Sequence, residues 1–105
     1  MLGTNDAWHR TGEPERVGEG MAALLTDLRR RRGGRMVLVQ PPGGLPKVRA
    51  KLERHVYPAL RRLRRGASDL TLVEPSLGVA AYRQDLVHLS REGADAIATA
   101  VAEVI

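Results

Sequence analysis

The sequence has no cysteine, and that absence removes disulfides, thiolate metal sites and cysteine nucleophiles together. It also has no phenylalanine, and Trp8, Tyr57 and Tyr82 are its only aromatic residues, so a surface for stacking nucleic-acid bases is poorly supplied. No stretch approaches the ~20 apolar residues of a membrane span. The N-terminus lacks the basic-then-apolar pattern of a secretory signal, so the sequence as written reads as cytoplasmic, but a start further upstream would void that absence and the compartment stays open. His9 has no partner at metal-ligand spacing, and neither a metal nor an organic cofactor is expected.

What is present is a chain of 105 residues, 43% of them hydrophobic, enough for one globular domain with little margin in its core. Its 17 basic residues outnumber 12 acidic ones for a net charge of +5, which on its face suits an anionic partner. The placement of the charge argues otherwise. Arg29-Arg30-Arg31-Arg32 runs into Gly33-Gly34, and Arg61-Arg62-Leu63-Arg64-Arg65 runs into Gly66. Both clusters sit where cations favour the negative end of a helix dipole, just ahead of a glycine able to take a left-handed cap. They read as solvated helix ends, and a nucleic-acid partner is disfavoured.

Apolar periodicity gives an alternating order of helices and strands. Val17, Met21, Leu24, Leu25 and Leu28 mark one face of a helix running to about Arg32. Met36-Val37-Leu38-Val39 is an unbroken apolar run, the pattern of a parallel strand covered on both faces by helices. Gln40-Pro41-Pro42-Gly43-Gly44 is loop. Pro46 suits a first helical turn, and Val48, Leu52, Val56, Leu60 and Leu63 mark the second helix, in which Pro58 predicts a kink or break. Residues 69–74 form the second strand, and Ala94, Ile97, Val101, Val104 and Ile105 make the inner stripe of a last helix. The fold class is α/β, a short parallel sheet flanked by helices, with two full strands near residues 35–40 and 69–74. An apolar parallel strand without a neighbour leaves an edge open to self-association or to a partner chain.

The chemistry concentrates in Asp85-Leu86-Val87-His88-Leu89-Ser90. A carboxylate three residues before a histidine can fold back and accept the imidazole Nδ1–H, which fixes the tautomer that leaves Nε2 free as a base. That is the orienting half of a hydrolytic triad. Ser90 is placed to cap the last helix with Glu92 in its first turn, which commits its hydroxyl and removes it as a nucleophile. Ser76, just past the second strand, is the serine nearest the side on which open α/β sheets place their sites. His55 reads as a helix-surface residue.

Asp85-Leu86-Val87-His88, taken with Gly3-Thr4-Asn5-Asp6 near the N-terminus, resembles the D-x-x-H and G-x-N-D blocks of the SGNH (GDSL-type) hydrolases, a family of esterases, lipases and acylhydrolases. The resemblance spans essentially residues 1–105. It implies the C-terminal part of one SGNH hydrolase-like domain, a partial three-layer, flavodoxin-like fold. It further implies that His88 is the general base, Asp85 its orienting acid, Asn5 an amide donor to the oxyanion, and Gly3 and Asp6 the supports of the Asn5 loop. The family carries its nucleophilic serine in a G-D-S block upstream of G-x-N-D, and neither that block nor a G-x-S-x-G elbow occurs in these residues. The expectation is therefore an ester or acyl hydrolase fragment, inactive alone, that acts on a small ester or acylated substrate when an N-terminal half completes it. Two other readings are an interaction module derived from the same fold and a basic nucleic-acid-binding domain.

Overall fold

Val17, Met21 and Leu25 recur every fourth residue, and in a computed structural model that describes residues 16–105 they are the buried face of helix α1 (Val17–Arg31). Leu24 and Leu28, expected on the same stripe, rotate off it and remain 45% and 39% exposed. Gly33 and Gly34 follow with φ of 66° and 82°, left-handed values that turn the chain from α1 into strand β1 (Met36–Val39). The other basic cluster ends without this device, since Gly66 has φ −88°.

Leu45 leads into α2 (Pro46–Lys51), where proline at the first helical position forfeits no hydrogen bond. The helix does not break at Pro58. Proline has no N–H to offer the carbonyl of residue 54, and a wider π-helical turn, Leu52–Val56, absorbs the misfit just ahead of it. There the Tyr57 N–H reaches back to the Leu52 carbonyl, and the rod continues as α3 (Tyr57–Arg65). Leu52, Val56 and Leu60 are its fully buried side chains, each contributing about 1.5–3 kcal/mol by leaving water.

Strand β2 (Leu70–Val73) pairs in parallel with β1, Met36 opposite Leu70 and Val39 opposite Val73. Among the described residues these two strands are the sheet. Alternation sends Met36, Leu38, Leu70 and Leu72 to one face, where they meet α1 and the α2–α3 rod in a single core with Val48 and Tyr57. The opposite face is less covered than the unbroken apolar run of β1 predicts, and Val37 there is 39% exposed. The bidentate Arg29–Asp69 pair, Nε to Oδ2 at 2.7 Å and Nη2 to Oδ1 at 2.8 Å, ties the end of α1 to the entrance of β2. Arg29 is thus a fastener rather than a merely solvated cation, and it holds the Asp69 carboxyl below its ordinary range.

After β2 the chain makes a 3-10 turn at Val79–Ala81, passes through the Asp85–His88 loop and ends in helix α4 (Arg91–Ala102). Ser90 caps α4 by accepting from the Gly93 N–H at 3.1 Å, as the sequence predicts. The expected inner stripe is only partly covered: Ile97, Val101 and Val104 are half-buried, whereas Ala94 is exposed, Ile105 is 88% exposed, and Gly93 is the only buried residue of α4. The reason is geometric. The helix seats its first turn on the 3-10 turn, so close that a Cβ at Gly93 would overlap the Ala81 carbonyl oxygen.

Gly93→Ala should therefore destabilise the fold by about 1–3 kcal/mol, as overpacking against backbone does. Gly20→Ala, on the open side of α1 with nothing within 4 Å of the added carbon, should stabilise it by about 0.5–1 kcal/mol. Thermal melts of the two variants should shift in opposite directions.

Candidate functional site

The loop between the 3-10 turn and α4 is built on backbone bonds. Arg83 N–H donates to the His88 carbonyl at 2.8 Å, Leu86 N–H to the Arg83 carbonyl at 2.9 Å, and Ser90 N–H to the Ala81 carbonyl at 2.9 Å. Tyr82 and Leu89 form an antiparallel bridge across its base. The result is a closed lobe that presents residues 83–88 outward.

Within it the Asp85 carboxylate is used completely. Its Oδ1 accepts from the backbone N–H groups of Val87, at 2.9 Å, and His88, at 3.1 Å, while Oδ2 lies 2.6 Å from His88 Nδ1. The imidazole beside it, reinforced by the two amides, holds the Asp85 carboxyl far below the ordinary carboxylate range. An ionised carboxylate only accepts, so Nδ1 carries the proton and Nε2 carries the lone pair when the ring is neutral. The side chain of His88 is 72% exposed, which leaves Nε2 open to a reacting group. Asp85 holds fewer protons folded than unfolded in acid. Its stabilisation is complete above the ordinary carboxylate value of about 4 and is lost as pH falls below it.

The tight fold-back requires an unusual backbone. Leu86 has φ 57°, the one non-glycine residue in the left-handed region among the described residues, at a cost of about 1–2 kcal/mol. The lobe is braced against the sheet by the loop that leaves β1. A Cβ at Gly44 would stand 2.6 Å from the Leu86 carbonyl oxygen and 2.9 Å from the Tyr82 ring, so only glycine permits the approach. The same loop is pinned from behind by the Tyr57 hydroxyl, which donates to the Pro41 carbonyl at 2.7 Å and whose pKa burial pushes up to about 12.

Of the residues singled out from the sequence, Asp85 and His88 are brought together. Gly3, Asn5 and Asp6 lie outside the described residues. Ser90 is turned away from the histidine, its hydroxyl donating to the Ala80 carbonyl at 2.7 Å while it caps α4. Ser76 is exposed and does not bond to His88. His55 is half-buried on the π-helical turn, and among the described residues no group of three acids and histidines is placed to hold a metal ion. Among the same residues no helix is long and apolar enough to cross a membrane.

One residue escaped the sequence reading. Gln40, at the C-terminal end of β1, is buried and its Nε2 has no hydrogen-bond partner. An amide left so costs about 1–3 kcal/mol. Its only signal in the sequence was a polar residue ending an apolar strand, on the side where α/β sheets bind ligands.

No protein-family model matches the chain, and neither a curated protein nor a solved structure matches it.

Asp85→Asn keeps the shape and removes the ionised acceptor, so the ring should shift toward the tautomer protonated at Nε2. Nitrogen-15 spectra of the neutral imidazole should show the proton on Nδ1 in the parent protein and a redistribution in the variant.

Proposed function

We propose that the chain contributes the acid–histidine half of a serine ester or acyl hydrolase of the SGNH type, with its short parallel sheet a part of that family's flavodoxin-like architecture. The observation that carries this reading is the 2.6 Å contact between Asp85 Oδ2 and His88 Nδ1 on a lobe that leaves Nε2 in solvent. The nucleophile is a serine outside residues 16–105, in a preceding segment or a second polypeptide.

In the reaction, His88 Nε2 takes the proton of the serine hydroxyl as Oγ attacks the acyl carbon. Asp85 remains a carboxylate and holds the resulting imidazolium in place. The tetrahedral oxyanion accepts the side-chain amide of Asn5, a donor of a kind worth about 3 kcal/mol in the transition state. His88 then returns its proton to the departing alkoxide, and a water activated by the same nitrogen releases the acyl group. Without the serine the base has nothing to activate, so the 105 residues alone should hydrolyse esters at no more than the rate of a free imidazole.

The test uses the protein as its own cell makes it. Capture with a biotinylated fluorophosphonate, which labels activated serines, followed by trypsin should recover the peptide Gln84–Arg91 among the captured species. His88→Ala should slow that labelling about a thousandfold or more. Recovery of Gln84–Arg91 only from unlabelled protein would remove the chain from serine hydrolysis.

A further inference from the structure

Two members of the arginine clusters, Arg29 and Arg61, are ion-paired to residues of other elements, Asp69 and Glu74. Arg61, Arg64 and Arg65 lie on one side of α3, and with Leu72 and Glu74 they line an open groove of about 460 Å³. The helix dipole accounts for cations in the last turn of α3. It does not account for Arg61, a turn earlier, or for the alignment of all three above the margin of the sheet.

That margin is an unused strand edge. The carbonyls of Asp69 and Val73 accept from β1, from Met36 N–H and Gln40 N–H at 2.8 Å each. In a parallel ladder the residues between them, Leu70 and Leu72, together with Glu74 beyond, turn their N–H and C=O groups the other way. Leu70 N–H is met by the Ala67 carbonyl at 3.3 Å. Leu72 of β2 and Glu74 just beyond it both line the groove and by this alternation turn their backbone groups toward the free edge, where no described strand pairs with them.

We infer that the β2 edge beneath Arg61, Arg64 and Arg65 is a docking site for an extended, acidic peptide segment of a partner protein, which adds as a strand beside Leu72 and Glu74. Backbone pairing supplies the attachment, and alternate side chains of the added strand rise on the face occupied by α3. Acids at every second position would meet the arginines there. Glu74 is already matched by Arg61, Nε to Oε1 at 2.7 Å, so the groove retains the charge of Arg64 and Arg65, which form no ion pair among the described residues. A second copy of this chain is the wrong occupant, because edge-to-edge pairing of two β2 strands would set one arginine fringe against the other. The groove carries no aromatic side chain, so it offers nucleic-acid bases nothing to stack on. This inference is independent of the Asp85–His88 chemistry.

The probe is a capped peptide of about six residues alternating Glu and Val, titrated into the nitrogen-15-labelled full chain. The backbone amides of Leu72 and Glu74 should shift, and binding should weaken about tenfold in the Arg64→Glu/Arg65→Glu double variant and again as salt is raised through the range where exposed charges are screened. Methylating alternate backbone nitrogens of the peptide should abolish the shifts at Leu72 and Glu74. The proposal fails if a Lys-Val peptide binds as well, if N-methylation changes nothing, or if single-stranded oligothymidylate displaces the acidic peptide from the same amides. Absence of any shift at Leu72 and Glu74 with millimolar peptide would equally overturn it. Both arginines are exposed, and the far-ultraviolet circular dichroism of the double variant should match the parent.

Discussion

At Gly43 and Gly44 the chain has to pass through a space with no room for side chains, and the placement of the acid–histidine lobe follows from that passage. On one side, Leu52 and Val48 of the α2–α3 rod would collide with a Cβ at Gly43, Leu52 Cδ1 at 2.6 Å. On the other, the Leu86 carbonyl and the Tyr82 ring crowd Gly44. Two prolines restrict the backbone before the passage, two glycines provide the clearance within it, and the Tyr57 hydroxyl holds the Pro41 carbonyl. The hydrophobic core and the acid–histidine lobe are therefore in contact through one four-residue wedge. The lobe inherits its position from Leu52 and Tyr57, neither of which is near the histidine in sequence.

Much of this was legible in the residues. Met36–Val39 and Leu70–Val73 were readable as strands because their apolar runs are bounded by glycine, proline and charge. Ser90 announced the start of α4 by the hydrogen-bonding habit of its hydroxyl. Periodicity was less informative about what each helix meets. Leu24 and Leu28 satisfy the helical stripe, but the stripe is wider than the surface available to cover it. The stripe of α4 is likewise real in the sequence and only half-covered among the described residues, because a glycine contact and a cap seat the helix by its first turn. Pro58 was recognised as a disturbance, yet whether a helix breaks or widens to a π turn depends on packing. Here Leu52, Val56 and Leu60 keep the rod on one line by remaining buried on both sides of the proline.

At the site, the pairing of Asp85 with His88 was readable because three residues is the span over which a side-chain carboxylate closes a turn onto its own backbone and reaches the imidazole. The left-handed Leu86 was not, since a leucine gives no hint that it will adopt such a conformation. Nor was the service of Arg29 to Asp69, 40 residues away, which depends on how α1 lies against the sheet. Gln40 was invisible for the opposite reason: a polar residue at the end of a strand looks like the start of a loop until its burial is known.

The weak seating of α4 bears on how constant the dyad geometry is in time. Stability in a protein is distributed, and a segment opens at a free energy set by its own contacts rather than by the whole molecule's. The lobe that carries Asp85 and His88 lies between a rod buried at Leu52, Val56 and Leu60 and a helix whose sole buried residue is Gly93. Fraying of α4 removes the Ser90 anchors to Ala80 and Ala81 and with them one of the two walls of the lobe. The fraction of molecules in which Asp85 meets His88 thus depends on a local equilibrium at the last helix, and any contact that covers its apolar side would raise that fraction without touching the histidine.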